Sequence, residues 1–106
     1  MSPLPRHVKP RILEALHDTR IVVLQGARQA GKTTLVSEIA ADVSGRLVTL
    51  DDDLTRAAAE ADPSRFLTQV PGGILAIDEV QRVPALVLAL KVAADRDPRP
   101  GQFLLT

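Results

Sequence analysis

The fold is decided by one stretch of the sequence, Gly26-Ala27-Arg28-Gln29-Ala30-Gly31-Lys32-Thr33. It has the form G-x-x-x-x-G-K-T, follows the apolar residues 21–24 and precedes residues 34–41, in which apolar side chains recur at helical spacing. A strand, a loop bounded by glycines and a helix form the context of a phosphate-binding P-loop. Free backbone N–H groups and the positive end of the helix dipole favour an anion at such a helix start. The stretch therefore predicts a phosphate site on an α/β fold.

The residue types in this loop predict separate roles for its members. Lys32 would place a positive charge at the β- and γ-phosphates of a nucleotide, and the Thr33 hydroxyl would be a ligand of Mg²⁺. We expect the nucleotide to be bound by Gly26, Ala27, Arg28, Gln29, Ala30, Gly31, Lys32, Thr33 and Thr34. The alternative is a glycine-rich turn with a surface lysine, but the flanking strand and helix favour the P-loop.

Composition narrows the class of protein. The 106 residues make at most one modest domain, and 45% of them are apolar, which is enough for a core. Thirteen basic and thirteen acidic side chains balance, so the charge does not support binding to nucleic acid or to an anionic membrane surface. The absence of cysteine excludes disulfides and thiolate metal sites, and His7 and His17 lack the spacing of metal ligands. No segment resembles a signal peptide or a membrane span, so we expect a cytoplasmic protein.

Apolar runs and turn signals predict four strands that alternate with helices. We expect strands at residues 21–25, 46–50, 74–77 and 103–106. We expect helices at residues 10–17, 32–43, 51–61 and 62–70, and a last helix from Pro84 that turns Leu86, Val87, Leu90, Val92 and Ala93 inward. Such alternation predicts an α/β fold with a parallel sheet, right-handed crossovers and helices that flank the sheet.

Residues 74–79 predict the second half of a nucleotide site. They read Ile-Leu-Ala-Ile-Asp-Glu, four apolar residues followed by two carboxylates, which is a Walker B pattern. Mg²⁺ prefers oxygen ligands and keeps most of its waters, so Asp78 at the strand end would hold the hydrated ion. Glu79 would orient or deprotonate the attacking water. This second acid favours ATP hydrolysis over a small-molecule P-loop kinase, in which the substrate hydroxyl replaces water.

Other polar residues follow the predicted strands, whose carboxyl ends meet at one edge of a parallel sheet. Thr106 would hydrogen-bond the attacking water, or else simply lie on the face of the strand ladder. The carboxylates of residues 51–53 would lie near the metal, or, as a simpler explanation, they form an N-cap with a favourable helix-dipole interaction. Arg82, one helical turn after Glu79, would pair with it. Arg96 and Arg99 would be arginine fingers only across a subunit interface, and otherwise belong to a solvated loop.

Six stretches carry a family resemblance: Pro5-Arg6-His7, residues 24–35, Leu50-Asp51-Asp52, Asp62-Pro63 with Phe66-Leu67, Ile77-Asp78-Glu79-Val80-Gln81-Arg82, and Phe103-Leu104-Leu105-Thr106. With them the sequence resembles the N-terminal part of a bacterial and archaeal family of AAA-type P-loop ATPases. The resemblance implies a three-layer P-loop NTPase fold of the ASCE/AAA-like type, with the fourth strand between the first and third. It implies ATP and Mg²⁺ as cofactors. We expect Glu79, Lys32 and Thr106 to be catalytic, and Thr33 and Asp78 to hold the metal.

The resemblance also implies how far the domain extends. In the family, Leu-Leu-Thr continues with Gly-Ser in a sensor-1-like element and later with a C-terminal domain of unknown function. We therefore expect an arm and short helix over residues 1–20 and a C-terminally truncated P-loop ATPase domain over residues 21–106, completed by a homo-oligomer or a partner protein. The predicted function is Mg²⁺-dependent ATP hydrolysis through Walker A and Walker B. The alternative is a nucleotide-binding fragment or interaction module that does not hydrolyse ATP unaided.

Overall fold

A computed structural model describes residues 8–24, 32–43, 45–97 and 99–106, and the side chains of Val8, Lys32 and Thr33 lie outside this description. The described elements follow one another along the chain as α1 (Val8–Asp18), β1 (Ile21–Val23), α2 (Lys32–Asp42), β2 (Arg46–Thr49), α3 (Asp53–Ala61), α4 (Pro63–Phe66), β3 (Leu75–Asp78), a 3₁₀ turn (Val80–Arg82), α5 (Pro84–Arg96) and β4 (Phe103–Leu105). Helices thus lie between successive strands, as parallel strands require of their connections.

The four strands form one parallel sheet in the order β1-β4-β3-β2. This confirms the predicted α/β fold with a parallel sheet flanked by helices, and β4 lies between β1 and β3 as expected. Leu105 is in register with both Val23 and Ile77, and Thr49 is in register with Asp78. The strands therefore end along one side of the sheet, which we call the carboxyl edge (Val23, Leu105, Asp78 and Thr49).

Both faces of the sheet are buried. Leu75 and Ile77 of β3 pack into a cluster with residues of α3, α4 and α5, whereas Ala76 between them packs with residues of α1 and α2. β4 repeats this alternation, with Leu104 on the side of α1 and α2. Because successive side chains of a strand point to opposite faces, apolar residues at every position bury both faces. The result is three layers, with α1 and α2 on one side of the sheet and α3 to α5 on the other.

α5 turns a different face to the core from the one predicted. Leu86, Leu90 and Ala94 are buried at successive helical turns, whereas Val87 is 38% and Val92 48% exposed. The prediction that Val87 and Val92 face inward is therefore wrong. The helix carries apolar side chains around most of its circumference, so the sequence pattern does not single out one face.

α4 is shorter than the predicted helix over residues 62–70 and ends at Phe66. It begins as expected, because the Asp62 carboxylate accepts a hydrogen bond from the Arg65 N–H at 3.1 Å and so caps the helix. At the other end, the Thr68 hydroxyl donates to the Arg65 carbonyl at 2.7 Å and the Gln69 amide donates to the Phe66 carbonyl at 2.9 Å. The Arg65 carbonyl also accepts the Thr68 N–H at 3.0 Å. The last carbonyls of α4 are therefore satisfied by the residues that follow it, without a further helical turn.

The remaining elements begin and end within two residues of their predicted bounds. α1 begins at Val8, before Pro10, because the N–H groups of a first helical turn have no acceptor within the helix and a proline is tolerated there. The longest described helix, α5, has 13 residues. No helix among the described residues is both long and apolar enough to cross a membrane.

Candidate functional site

Asp78, the last residue of β3, is held between two threonine hydroxyls at the carboxyl edge. Thr49 Oγ1 donates a hydrogen bond to Asp78 Oδ2, and Thr106 Oγ1 donates one to Asp78 Oδ1. The donor–acceptor distance is 3.1 Å in both. The backbone continues the sheet beyond the strand ends, since the Leu50 N–H donates to the Asp78 carbonyl at 3.0 Å and the Thr106 N–H donates to the Ile77 carbonyl at 3.0 Å. The structure thus brings together the predicted site residues Asp78 and Thr106.

Thr49 is a member of this arrangement that the sequence analysis missed. Its hydroxyl oxygen accepts a hydrogen bond from the Asp51 N–H at 3.2 Å, which leaves the hydroxyl proton for Asp78. The register of β2 against β3 sets Thr49 directly beside Asp78, and the sequence of β2 alone does not contain this register. A hydroxyl residue near the predicted end of that strand was the one available signal.

Glu79 leaves the strand conformation immediately after Asp78. Its φ of 59° and ψ of 45° lie in the left-handed region, and no other described residue except glycine has a positive φ. For a residue with a Cβ this conformation costs about 1–2 kcal/mol, and such strain is concentrated at functional sites. The Gln81 side-chain amide donates to Glu79 Oε2 at 3.2 Å. The direction of the Glu79 side chain is therefore set by a turn, not by the alternation of β3.

The described ends of β1 and α2 flank the predicted P-loop. The Leu24 N–H donates to the Leu105 carbonyl at 2.8 Å, which extends the pairing of β1 with β4 by one residue, and α2 begins at Lys32. Thr34 is exposed. Gly26, Ala27, Arg28, Gln29, Ala30 and Gly31 lie outside the described residues, as do the side chains of Lys32 and Thr33. The roles of these residues remain predictions.

Two of the three carboxylates that follow β2 stabilise the start of α3. Asp52 Oδ2 accepts hydrogen bonds from the Thr55 N–H at 2.9 Å and from the Thr55 hydroxyl at 2.8 Å. The backbone hydrogen bond from Thr55 lowers the pKa of Asp52 below its ordinary value of 3.8. Asp53 pairs with the Arg56 guanidinium at 2.6 Å. These contacts confirm the interpretation of this segment as an N-cap.

The third carboxylate, Asp51, pairs with Arg82. The Arg82 Nε lies 2.6 Å from Asp51 Oδ1, so the ion pair joins the 3₁₀ turn after β3 to the turn after β2. The sequence predicts instead that Arg82 pairs with Glu79. That expectation assumed a helical turn between the two residues, but Glu79 has left-handed backbone angles, so the side-chain neighbourhood of a regular helix does not apply to it.

The side chains around Asp78 have a chemistry that fits a magnesium ion. Among the described residues, no group of three or more His, Cys, Asp or Glu side chains could hold a metal. Mg²⁺ does not need such a cage, because it keeps several waters and is usually bound by one or two carboxylates together with phosphate oxygens. A half-buried aspartate whose two oxygens are both oriented by hydroxyls has the donor chemistry that this ion prefers.

Comparison with known protein families agrees with this arrangement. A family model described as AAA domain matches residues 18–106. The chain belongs to the AAA domain family. The match covers all four strands and confirms the resemblance to AAA-type P-loop ATPases. This AAA domain is accordingly a nucleotide-binding, ATPase-like domain.

Two mycobacterial proteins are similar to this AAA domain. They are the uncharacterized protein Mb2031c of Mycobacterium bovis and the uncharacterized protein Rv2008c of Mycobacterium tuberculosis, each 37% identical over 100 residues. The similarity covers 94% of this chain and 22% of each relative, so the chain spans less than a quarter of their length. No solved structure matches the chain.

Arg96 and Arg99 lie at the opposite edge of the sheet of this AAA domain. Both line a cavity of about 730 Å³ together with Leu75 and Phe103, the first residues of β3 and β4. The strands separate this cavity from Asp78 at their other ends. Within one chain the structure does not bring either arginine to the candidate site, so an arginine-finger role would have to be directed at another subunit.

Proposed function

We propose that this AAA domain binds ATP with Mg²⁺ at the carboxyl edge and hydrolyses it. The observation that supports the proposal is Asp78, fixed by two hydroxyls at the end of β3. An aspartate in this position holds Mg²⁺ in P-loop ATPases, and Asp78 would hold it here. β1, which leads into the G-x-x-x-x-G-K-T stretch, is separated from β3 only by β4. The Walker A and Walker B segments would therefore act at the same edge.

In this proposal the first half of the site binds the triphosphate. Residues 26–31 and Thr34 would offer backbone N–H groups to the phosphates, and Lys32 would neutralise the β- and γ-oxygens. Bound Mg²⁺ supplies positive charge against the negative charge of the transferring phosphoryl group. Thr33 and Asp78 would hold this ion, with Asp78 acting through the orientation that Thr49 and Thr106 give its carboxylate.

The second half of the site activates water. The water oxygen would attack the γ-phosphorus while the bond to the bridging oxygen of ADP breaks, and a proton of the water would pass to the Glu79 carboxylate. The Thr106 hydroxyl donates its proton to Asp78. Its oxygen is therefore left to accept a hydrogen bond from the attacking water, which is the role we propose for Thr106 in catalysis.

The phosphate site is tested by calorimetric titration of the protein with Mg–ATP. Lys32→Ala should abolish binding, because the charge opposite the β- and γ-phosphates is lost. Lys91→Ala, which removes an exposed lysine of α5, is the matched control and should bind like the wild type. Equal affinity of Lys32→Ala and the wild type would contradict the assignment of the P-loop.

The hydrolytic step is tested by Glu79→Gln. This variant should bind Mg–ATP and release phosphate at least about 100-fold more slowly, which is the usual contribution of a general base. Unchanged phosphate release would contradict the role of Glu79 as the base.

A second candidate function is ATP binding without unaided hydrolysis. The observation in its favour is that the similarity covers 22% of the length of each relative. In this candidate a second copy or a partner protein would contribute to hydrolysis. Steady phosphate release by the pure protein, lost in Glu79→Gln, would rule this candidate out. Tight Mg–ATP binding with no phosphate release would support it over the first.

A further inference from the structure

The Thr49 side chain has a hydroxyl where a strand residue does not need one. The position is half-buried and paired with β3, and a valine of the same shape would suit a strand equally well. The hydroxyl is used twice: its oxygen accepts from the Asp51 N–H at 3.2 Å and its proton is donated to Asp78 Oδ2 at 3.1 Å. We infer that Thr49 is a positioning residue, which orients the Asp78 carboxylate for the metal bound with the nucleotide. The inference rests on the proposed function.

The hydrogen bond from Asp51 determines where the Thr49 proton points. A hydroxyl has one proton and two lone pairs and rotates freely unless a neighbour fixes it. Because one lone pair is taken by the Asp51 N–H, the proton is left for the Asp78 carboxylate. The turn that supplies this N–H is itself held in place, since the Asp51 carboxylate pairs with Arg82 at 2.6 Å. The donor to Asp78 is therefore fixed before any nucleotide binds.

The consequence for Asp78 is a loss of rotational freedom. The terminal torsion of an aspartate is broad, so a carboxylate at a strand end can present its oxygens at many angles. Thr49 holds Oδ2 and Thr106 holds Oδ1, one hydroxyl on each oxygen. An ionised carboxylate offers about four acceptor positions, so roughly two remain for the metal or its waters. The orientation of these two acceptor positions is then determined by Thr49 at the end of β2 and by Thr106 after β4.

Groups that orient a metal-binding side chain contribute to metal affinity even though they do not touch the metal. The effect of Thr49 should therefore appear in metal binding with no turnover required. Thr106 is not equivalent, because in the proposed function it also contacts the attacking water. Thr49 has no proposed contact with the attacking water, and this makes it the cleaner position to test.

The test is Mn²⁺ binding to the protein in the presence of a non-hydrolysable ATP analogue, measured by electron paramagnetic resonance of free Mn²⁺. We expect Thr49→Val to weaken Mn²⁺ binding by about 10-fold, the lower end of the range for residues that orient metal ligands. Thr49→Ser keeps the hydroxyl and should restore most of the affinity. Thr68→Val, which removes a hydroxyl donor to the Arg65 carbonyl away from the carboxyl edge, is the control and should bind like the wild type.

The possible results distinguish the role of Thr49 from the proposed function. Weaker Mn²⁺ binding in Thr49→Val, with recovery in Thr49→Ser and an unchanged thermal unfolding midpoint, supports the positioning role. Equal Mn²⁺ affinity of Thr49→Val and the wild type overturns it, as does an equal loss in Thr49→Val and Thr49→Ser. If the wild type itself binds no Mn²⁺ with the analogue, or binds it equally well in Lys32→Ala, the proposed function fails and not merely the role of Thr49.

Discussion

Arg82 and Asp51 form an ion pair that spans the ends of two neighbouring strands, with 2.6 Å between Arg82 Nε and Asp51 Oδ1. Asp51 lies in the turn after β2, and Arg82 belongs to the 3₁₀ turn that follows Asp78 and Glu79. The ion pair therefore connects these two turns. The two side chains are 48% and 52% exposed. Water and salt therefore reduce the strength of the pair, and its main effect is to hold one turn against the other.

We predict a small coupling free energy for this pair. A double-mutant cycle with Arg82→Gln and Asp51→Asn, measured by urea unfolding, should give at most about 1 kcal/mol, because both groups are half exposed. The coupling should fall as salt is raised. Arg11→Gln, at an exposed position of α1 with no ion pair to a described residue, serves as the reference substitution. A coupling that is independent of salt would contradict this account of the pair.

The left-handed conformation of Glu79 predicts an unusual order of stability among its variants. At most positions glycine is less stable than alanine, but a left-handed residue with a Cβ is strained and glycine is not. Glu79→Gly should therefore be more stable than Glu79→Ala by about 1 kcal/mol in urea unfolding. Ala57 is an exposed position inside α3, where the order should be reversed and Ala57→Gly should be less stable than the wild type. A less stable Glu79→Gly would argue against the left-handed turn.

Two glycines with positive φ predict the cost of a close backbone approach. Gly101 has φ +68°, and a Cβ added there would lie 2.8 Å from the Leu16 carbonyl oxygen at the end of α1. Gly72 has φ +77°, and an added Cβ would meet nothing within 4 Å. Alanine at either position carries backbone strain. The free energy of unfolding should fall by roughly 1–3 kcal/mol more in Gly101→Ala than in Gly72→Ala, because only at residue 101 must the neighbouring backbone move. Equal unfolding midpoints of the two variants would refute the close packing of α1 against residue 101.

The lowered pKa of Asp52 predicts a pH dependence of stability. Its folded pKa lies below the ordinary value of 3.8 because Thr55 donates hydrogen bonds to the ionised carboxylate. The stability that Asp52 contributes is therefore complete above the unfolded pKa and is lost as the pH falls through the folded pKa. Asp52→Ala should lower the urea midpoint at neutral pH, and the difference from the wild type should shrink as the pH falls below 3.8. Asp62→Ala, at the cap of α4, provides a second helix cap for comparison.

The sheet could be predicted because each of its strands is a short apolar run that can be recognised in the sequence on its own. Four apolar runs separated by helical segments determine the fold class, and carboxylates or hydroxyls directly after those runs fall at one edge of any parallel sheet. Asp78 and Thr106 could therefore be grouped from the sequence, and their side chains do make contact. Thr49 was missed because its contact depends on which residue of β2 lies beside Asp78, and that register is a relation between distant segments.

The other differences have equally local causes. α5 was assigned the wrong buried face because Leu86, Val87, Leu88 and Leu90 are all apolar and give no single stripe. Only packing against the sheet selects Leu86, Leu90 and Ala94. The left-handed turn at Glu79 could not be foreseen either, since glutamate has no preference for that conformation and the surrounding structure imposes it.

The place of β4 in the middle of the sheet has a consequence for how the domain folds. Ile21 pairs with Phe103, so β1 has no described strand partner until a segment some 80 residues further along the chain inserts between it and β3. Contacts between such distant segments require the closure of a large loop, which slows folding. Because Thr106 follows β4 and donates to Asp78, the carboxylate becomes fully oriented only at this insertion step. In the proposed function, a chain that has not completed its sheet would therefore not bind Mg–ATP tightly.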